Sequence, residues 1–155
     1  MKPIAILAFV TLNLLFSGCN PWRLPVLKEE ARRQDQRITR ETDEAIKKSP
    51  KLQELNWLCT EKIPRPSGFE LVNKDRDYNE ETFLSYGYRS ALDYQSVKQF
   101  YIDYFAQNGW KLTKQKEGGW GPSEIEFRRD SYRVSIYGMG TGQGEKYDIV
   151  CAKLK

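Results

Sequence analysis

The stretch "SEIEFRRDSYRVSIY", residues 123–137, reads as two strands folded about a tight turn. Ile125 and Phe127 alternate with Glu124, Glu126 and Arg128, and beyond Asp130 and Ser131 the apolar Val134 and Ile136 alternate with Arg133 and Ser135. Period-two alternation on both sides of two turn-forming residues marks an antiparallel hairpin with one buried face. With Asp130 and Ser131 as the turn, Phe127 lies opposite Val134 and Ile125 opposite Ile136. The same register sets Arg128 opposite Arg133 on the other face, a like-charge pairing that costs roughly a few tenths of a kcal/mol or more.

Working outward, residues 110–117 and 146–154 extend the apolar face through Trp110, Leu112, Tyr147, Ile149 and Cys151. The opposite face carries Lys111, Thr113, Glu124, Glu126, Arg128, Arg133 and Ser135. Two earlier strands are predicted at about 69–73 and 82–90. Between them and the hairpin, Asp93 caps a helix over Tyr94–Gln107, in which Val97, Phe100, Tyr101, Tyr104 and Phe105 recur at helical spacing. Asn108 and Gly109 end it, and Trp110 folds back on its last turn. Ser49 and Pro50 open a shorter helix through about Leu58, and "PRPSG", residues 64–68, breaks any regular element. The result is a two-layer α+β domain over residues 49–155, a mostly antiparallel sheet of about five to six strands covered on one face by one main helix. The order of the strands is not readable from the pattern.

The preceding segment has another character. Residues 28–48 hold 13 charged side chains in 21, without Gly or Pro, and pair Glu29 with Arg33, Asp43 with Lys47 and Glu44 with Lys48 at i,i+4. They read as a solvated helix or a loose tether. Leu24, Ala31, Ile38, Ala45 and Leu52 fall seven apart, but Gln34, Glu41 and Lys48 occupy the companion positions, so a coiled coil is weakly supported.

At the start of the chain, "PIAILAFVTLNLLF", residues 3–16, follows Lys2 and bears no charge. A membrane-spanning helix needs roughly 20 apolar residues, so this run has the length and layout of a secretory signal peptide. It ends in "LFSGC", residues 15–19, which resembles the lipobox of bacterial lipoproteins, with Phe16 where Leu is usual. The resemblance covers residues 1–20 only. It implies that residues 1–18 are removed and that Cys19 is alkylated with diacylglycerol on sulfur and acylated, as by palmitate, on its amine. Residues 19–48 then become a lipid-anchored tether to the membrane. Two or three acyl chains, at roughly 0.8 kcal/mol per buried methylene, hold stably where one is marginal. Asn20 in place of Asp implies the periplasmic face of the outer membrane, if the cell is Gram-negative.

Without residues 1–18, 24 Lys and Arg face 21 Asp and Glu, a balance that gives no argument for nucleic acid. Two other cysteines remain, Cys59 and Cys151. In an oxidising compartment they make a disulfide between the start of the domain and its last strand; the alternative is two buried thiols.

Three stretches look chemical and each has a plainer reading. "GMGTGQG", residues 138–144, lacks the Lys-Ser/Thr ending of a phosphate loop and reads as a flexible hairpin connection. "DRDYNEE", residues 75–81, offers Asp75, Asp77 and Asn79 as calcium-loop ligands, but Glu80 stands where Gly is required, so it reads as a solvated turn. Glu124 and Glu126 imitate a carboxylate pair, but with Arg128 beside them they read as part of a solvated face. The chain has no His, which removes the usual general base and the Ser-His and Cys-His nucleophile pairs. No residue set calls for a cofactor or a metal. These features point to a lipid-anchored, non-catalytic envelope protein that binds a partner, by preference a protein. The competing expectation is a cell-wall glycan-binding module or enzyme acting on peptidoglycan, with Trp120 in "GGWGP" as an exposed contact. Candidate binding residues are Lys111, Trp120, Arg128 and Arg133.

Overall fold

The structure, a computed structural model, describes residues 23–80, 82–118, 121–141 and 144–154. Three helices, α1 (Arg23–Lys48), α2 (Pro50–Trp57) and α3 (Tyr94–Gln107), accompany six strands. These are β1 (Glu70–Arg76), β2 (Phe83–Ser90), β3 (Lys111–Lys116), β4 (Ser123–Arg129), β5 (Tyr132–Thr141) and β6 (Gly144–Lys153). They form one antiparallel sheet in the order β1-β2-β6-β5-β4-β3. The chain is an α+β fold.

The β4–β5 hairpin has the register its pattern dictates, with Phe127 opposite Val134, Ile125 opposite Ile136 and Arg128 opposite Arg133. Asp130 takes a φ of 54°, the left-handed conformation that a two-residue hairpin turn needs and that Asp tolerates. Inward-facing Ile125, Phe127, Val134, Ile136, Ile149 and Cys151 are each at most 1% exposed. The exception is Leu112, which is 45% exposed. A bulge between Leu112 and Lys114 breaks the alternation on the edge strand β3, where every residue is exposed. Its lysines, 111, 114 and 116, make a poor template for pairing with another edge.

Local chemistry sets the helix ends. Ser49 Oγ accepts from Leu52 N at 3.3 Å at the start of α2, and Asp93 Oδ1 accepts from Ser96 N at 2.9 Å at the start of α3. Gly109, at φ 73°, lets Trp110 N return to the Phe105 carbonyl at 3.0 Å. The Phe105 ring then stacks on Phe127 at 4.2 Å between centroids, which docks α3 on the sheet.

In the covering layer α3 lies over β3 and β4, α2 over β2 and β6, and α1 along β1. The 19–48 segment is helical from Arg23, and its second half does not stand free. Thr42 is fully buried, Thr39 Oγ1 accepts the Lys74 backbone N–H at 3.0 Å, and Asp43 pairs with Lys74 Nζ at 2.8 Å. Thr39, Thr42, Asp43, Ala45 and Ile46 form the docked stripe, and the hydroxyl of Thr39 satisfies a donor on the sheet edge. Two strands also run further than their patterns suggested. β5 continues to Thr141 and β6 begins at Gly144, so most of the glycine-rich stretch is strand and not a flexible connection. Gly138 is there because a Cβ would fall 2.3 Å from the Tyr94 ring of α3.

After α2 the chain tightens into a π-helical turn, Leu58–Lys62, closed by Ile63 N donating to the Leu58 carbonyl at 3.1 Å. It turns Leu58, Cys59 and Ile63 into the core together, and Cys59 is bonded to Cys151 of β6, 92 residues later. Closing so long a loop stabilises by roughly 4 to 5 kcal/mol in the chain-entropy model. Reduction should therefore lower the denaturant midpoint strongly, and neither thiol should take an alkylating reagent before reduction. Alkylation of both in unreduced, folded protein would exclude the bond.

Candidate functional site

All three helices lie on one face of the sheet, and no described element packs on the other. On that outer face the side chains are polar and lie in rows across the strands. One row runs Lys111, Arg128, Arg133 and Ala152, from β3 through β4 and β5 to β6. A second runs Glu126, Ser135, Val150 and Ser85, and a third Glu124, Tyr137, Asp148, Gly87 and Asn73. The floor is small in the middle and long-armed toward β3.

The sequence pattern predicts a solvated face, and for its carboxylates the structure corrects this. Glu124 is 8% exposed, Glu126 7% and Ser135 2%. They stand on interior strands, where the long side chains of neighbouring rows fold over them and exclude water. Lys114 Nζ pairs with Glu124 at 2.6 Å. Glu126 accepts from Arg128 Nε at 2.9 Å and from the Thr113 hydroxyl at 2.8 Å, with Arg133 Nε 3.9 Å away. Burial pushes the Glu126 carboxyl up, but the bonds from Thr113 and Arg128 and the charges of both arginines outweigh it and hold it below the usual carboxylate range. One ionised carboxylate thus sits between two arginines that face each other, which answers their repulsion in the hairpin.

The balance is incomplete. Lys111, at the end of the row, forms no ion pair among the described residues, and Arg133 Nε is buried without a hydrogen-bond acceptor. Glu126 therefore answers the two arginines alone, and Lys111 stands in the same row as a further cation. Lys111, Arg128, Arg129, Asp130 and Gly109 also line a small depression of about 330 Å³ at this end of the sheet.

The third row has the opposite character. Asp148 lies between Tyr137 and Gly87 and has no ion-pair partner among the described residues, so burial raises its pKa. Gly87 makes room for its neighbour, since a Cβ there would fall 2.0 Å from Asn73 Oδ1 and 3.1 Å from Asp148 Oδ1. Nothing in the sequence singled out Asp148 or Gly87, because their proximity arises from the pairing of β1, β2 and β6.

Of the residues singled out in the sequence, Lys111, Arg128 and Arg133 come together, and Cys59 joins Cys151 below the sheet. Cys19 and Trp120 lie outside the described residues. In the 75–81 stretch Asp77 serves a turn, accepting from Asn79 N, Glu80 N and the Thr82 hydroxyl. No protein-family model, no curated protein and no solved structure matches the chain.

The two carboxylates respond to pH with opposite signs. Glu126, depressed in the fold, contributes stability above its unfolded pKa of about 4.3 that is lost as pH falls through its lower folded value. Asp148, raised in the fold, subtracts stability above its folded pKa, and the penalty fades as pH falls through that value and is gone below about 3.9. At pH 7 Glu126→Gln should destabilise by roughly 1 to 3 kcal/mol, while Asp148→Asn should raise the melting temperature. Thermal unfolding of both variants from pH 7 to 3 checks this, and both differences should shrink on acidification.

Proposed function

We propose that this chain is a lipid-anchored, non-catalytic cell-envelope protein that holds an acidic segment of a protein partner on its outer sheet face. The observation that carries the reading is the row Lys111, Arg128 and Arg133, three cations on an uncovered face where Glu126 pairs with the two arginines and Lys111 has no ion pair among the described residues. Arginine forks bind carboxylates with two parallel bonds, and one carboxylate leaves several of the available N–H groups unused. The strand backbone holds the three side chains at fixed spacing, so an incoming carboxylate meets a preorganised receptor.

The anchor rests on "LFSGC" and on the helix just beyond it. α1 begins at Arg23, four residues after Cys19, and its far half is docked on the sheet edge. A lipid on Cys19 is thereby joined to the domain through a helix of 26 residues, roughly 39 Å long. Among the described residues no helix is long and apolar enough to cross a membrane. Asn20 favours the outer membrane, facing the periplasm.

Two experiments test the two halves. Cells labelled with a fatty-acid analogue should mark the wild-type chain and not Cys19→Ser; equal label in both removes the anchor. Cross-linking in intact cells, read by mass spectrometry, should recover a defined partner that is lost from the double variant Arg128→Glu/Arg133→Glu. Unchanged capture by that variant, with an unaltered circular dichroism spectrum, removes the acid-receiving role.

A further inference from the structure

A second charged site lies on the helical side of the molecule, apart from the outer sheet face. Where α1 hands over to α2, the helices and the end of β1 enclose an open cleft of about 990 Å³. Arg37, Arg40, Lys48 and Arg76 line it, against two carboxylates, Glu41 and Glu44. Both carboxylates have partners on their own helix, Glu41 in Arg37 at 3.7 Å and Glu44 in Lys47 at 2.7 Å. Arg40 and Lys48 form no ion pair among the described residues. Arg76 points inward from β1 with its guanidinium on the Tyr78 ring at 4.4 Å, and its Nε is buried without an acceptor.

We infer that this cleft binds a small, soluble phosphorylated molecule, with Arg76 and Arg40 on the phosphate. The charge decides the group: the lining carries an excess of two positive charges, and a phosphate monoester carries about −1.5 to −2 at neutral pH. The stack on Tyr78 fixes the plane of the Arg76 fork before the ligand arrives, which suits a tetrahedral anion with several acceptor oxygens. A phosphate fills a small part of 990 Å³, so the remaining space takes the body of the ligand. A soluble source is favoured over a lipid headgroup because the cleft begins at Arg37, roughly 20 Å along α1 from Arg23. This choice of source rests on the anchor; the phosphate site itself does not.

The test uses the full chain in detergent micelles with arginine labelled in nitrogen-15, titrated with inorganic phosphate and with glycerol phosphate. The Arg76 Nε–H signal should shift and saturate, and binding should weaken about tenfold in Arg40→Gln, which alters an exposed helix position and leaves the fold intact. Arg76→Lys, which keeps the charge but loses the fork, should also weaken binding. Lowering the pH from 7.5 to 5 should weaken phosphate and leave sulfate unchanged, because phosphate alone gains a proton in that range. Arg128→Glu/Arg133→Glu should bind phosphate as the wild type does, which separates this site from the outer face. No saturable shift by roughly 20 mM, or equal binding by Arg40→Gln, overturns the site. A shift produced by phosphatidylglycerol vesicles and by neither soluble phosphate overturns the assignment of a soluble ligand.

Discussion

Ile125, Phe127, Val134, Ile136, Ile149 and Cys151 make one apolar layer across three adjacent strands, and the rest of the molecule is arranged to keep that layer dry. Full burial of a large aliphatic or aromatic side chain contributes roughly 1.5 to 3 kcal/mol, whereas an exposed ion pair contributes about 0 to 1. The apolar face therefore dictates where the helices go, and the charged face takes the side that remains. α3 covers one end with Phe105, on which Trp110 folds back, while α2 covers the middle with Leu52 and Leu55. The second half of α1 closes the β1 edge with the Thr39 hydroxyl and one ion pair. The bond between Cys59 and Cys151 ties this helical layer to β6, which is paired on both sides within the sheet.

Side-chain links from the helical layer to the sheet and its loops reinforce that arrangement. Glu54 of α2 takes the hydroxyl of Tyr132 and, at 2.9 Å, the ammonium of Lys153, so one carboxylate joins α2 to β5 and β6. The Tyr86 hydroxyl meets Asn56, and the hydroxyls of Tyr101 and Tyr104 donate to the carbonyls of Pro64 and Lys62. Tyrosine suits this boundary because its ring buries like an apolar group while its hydroxyl still finds an acceptor. With the helices held to one side, the outer face is free for other uses. Its charges can be arranged for binding because burial, and not ion pairing, maintains the fold.

Much of this was legible in the sequence, for identifiable reasons. Hairpin register is set by a two-residue turn and alternating side chains, so Phe127 with Val134 and Arg128 with Arg133 could be paired in advance. Helix ends at Ser49, Asp93 and Gly109 depend on hydrogen bonds made within five residues of the chain. The cysteine pair could be narrowed by counting, though spacing alone left free thiols as an alternative. The solvated reading of Glu124 and Glu126 failed because exposure on a sheet is set by neighbours from other strands, and those neighbours were the unread part of the topology.

By itself, then, the sequence determined the α+β class, the hairpin with the residues on each of its faces, and the helix caps, all of which depend on contacts close along the chain or on period. Only the tertiary structure decided the order β1-β2-β6-β5-β4-β3, the docking of α1 on β1, the shielding of Glu126 and the meeting of Arg40 with Arg76. Each of these joins residues far apart in the chain. Their partners are selected by the closure of the whole apolar layer, and no local pattern carries that information.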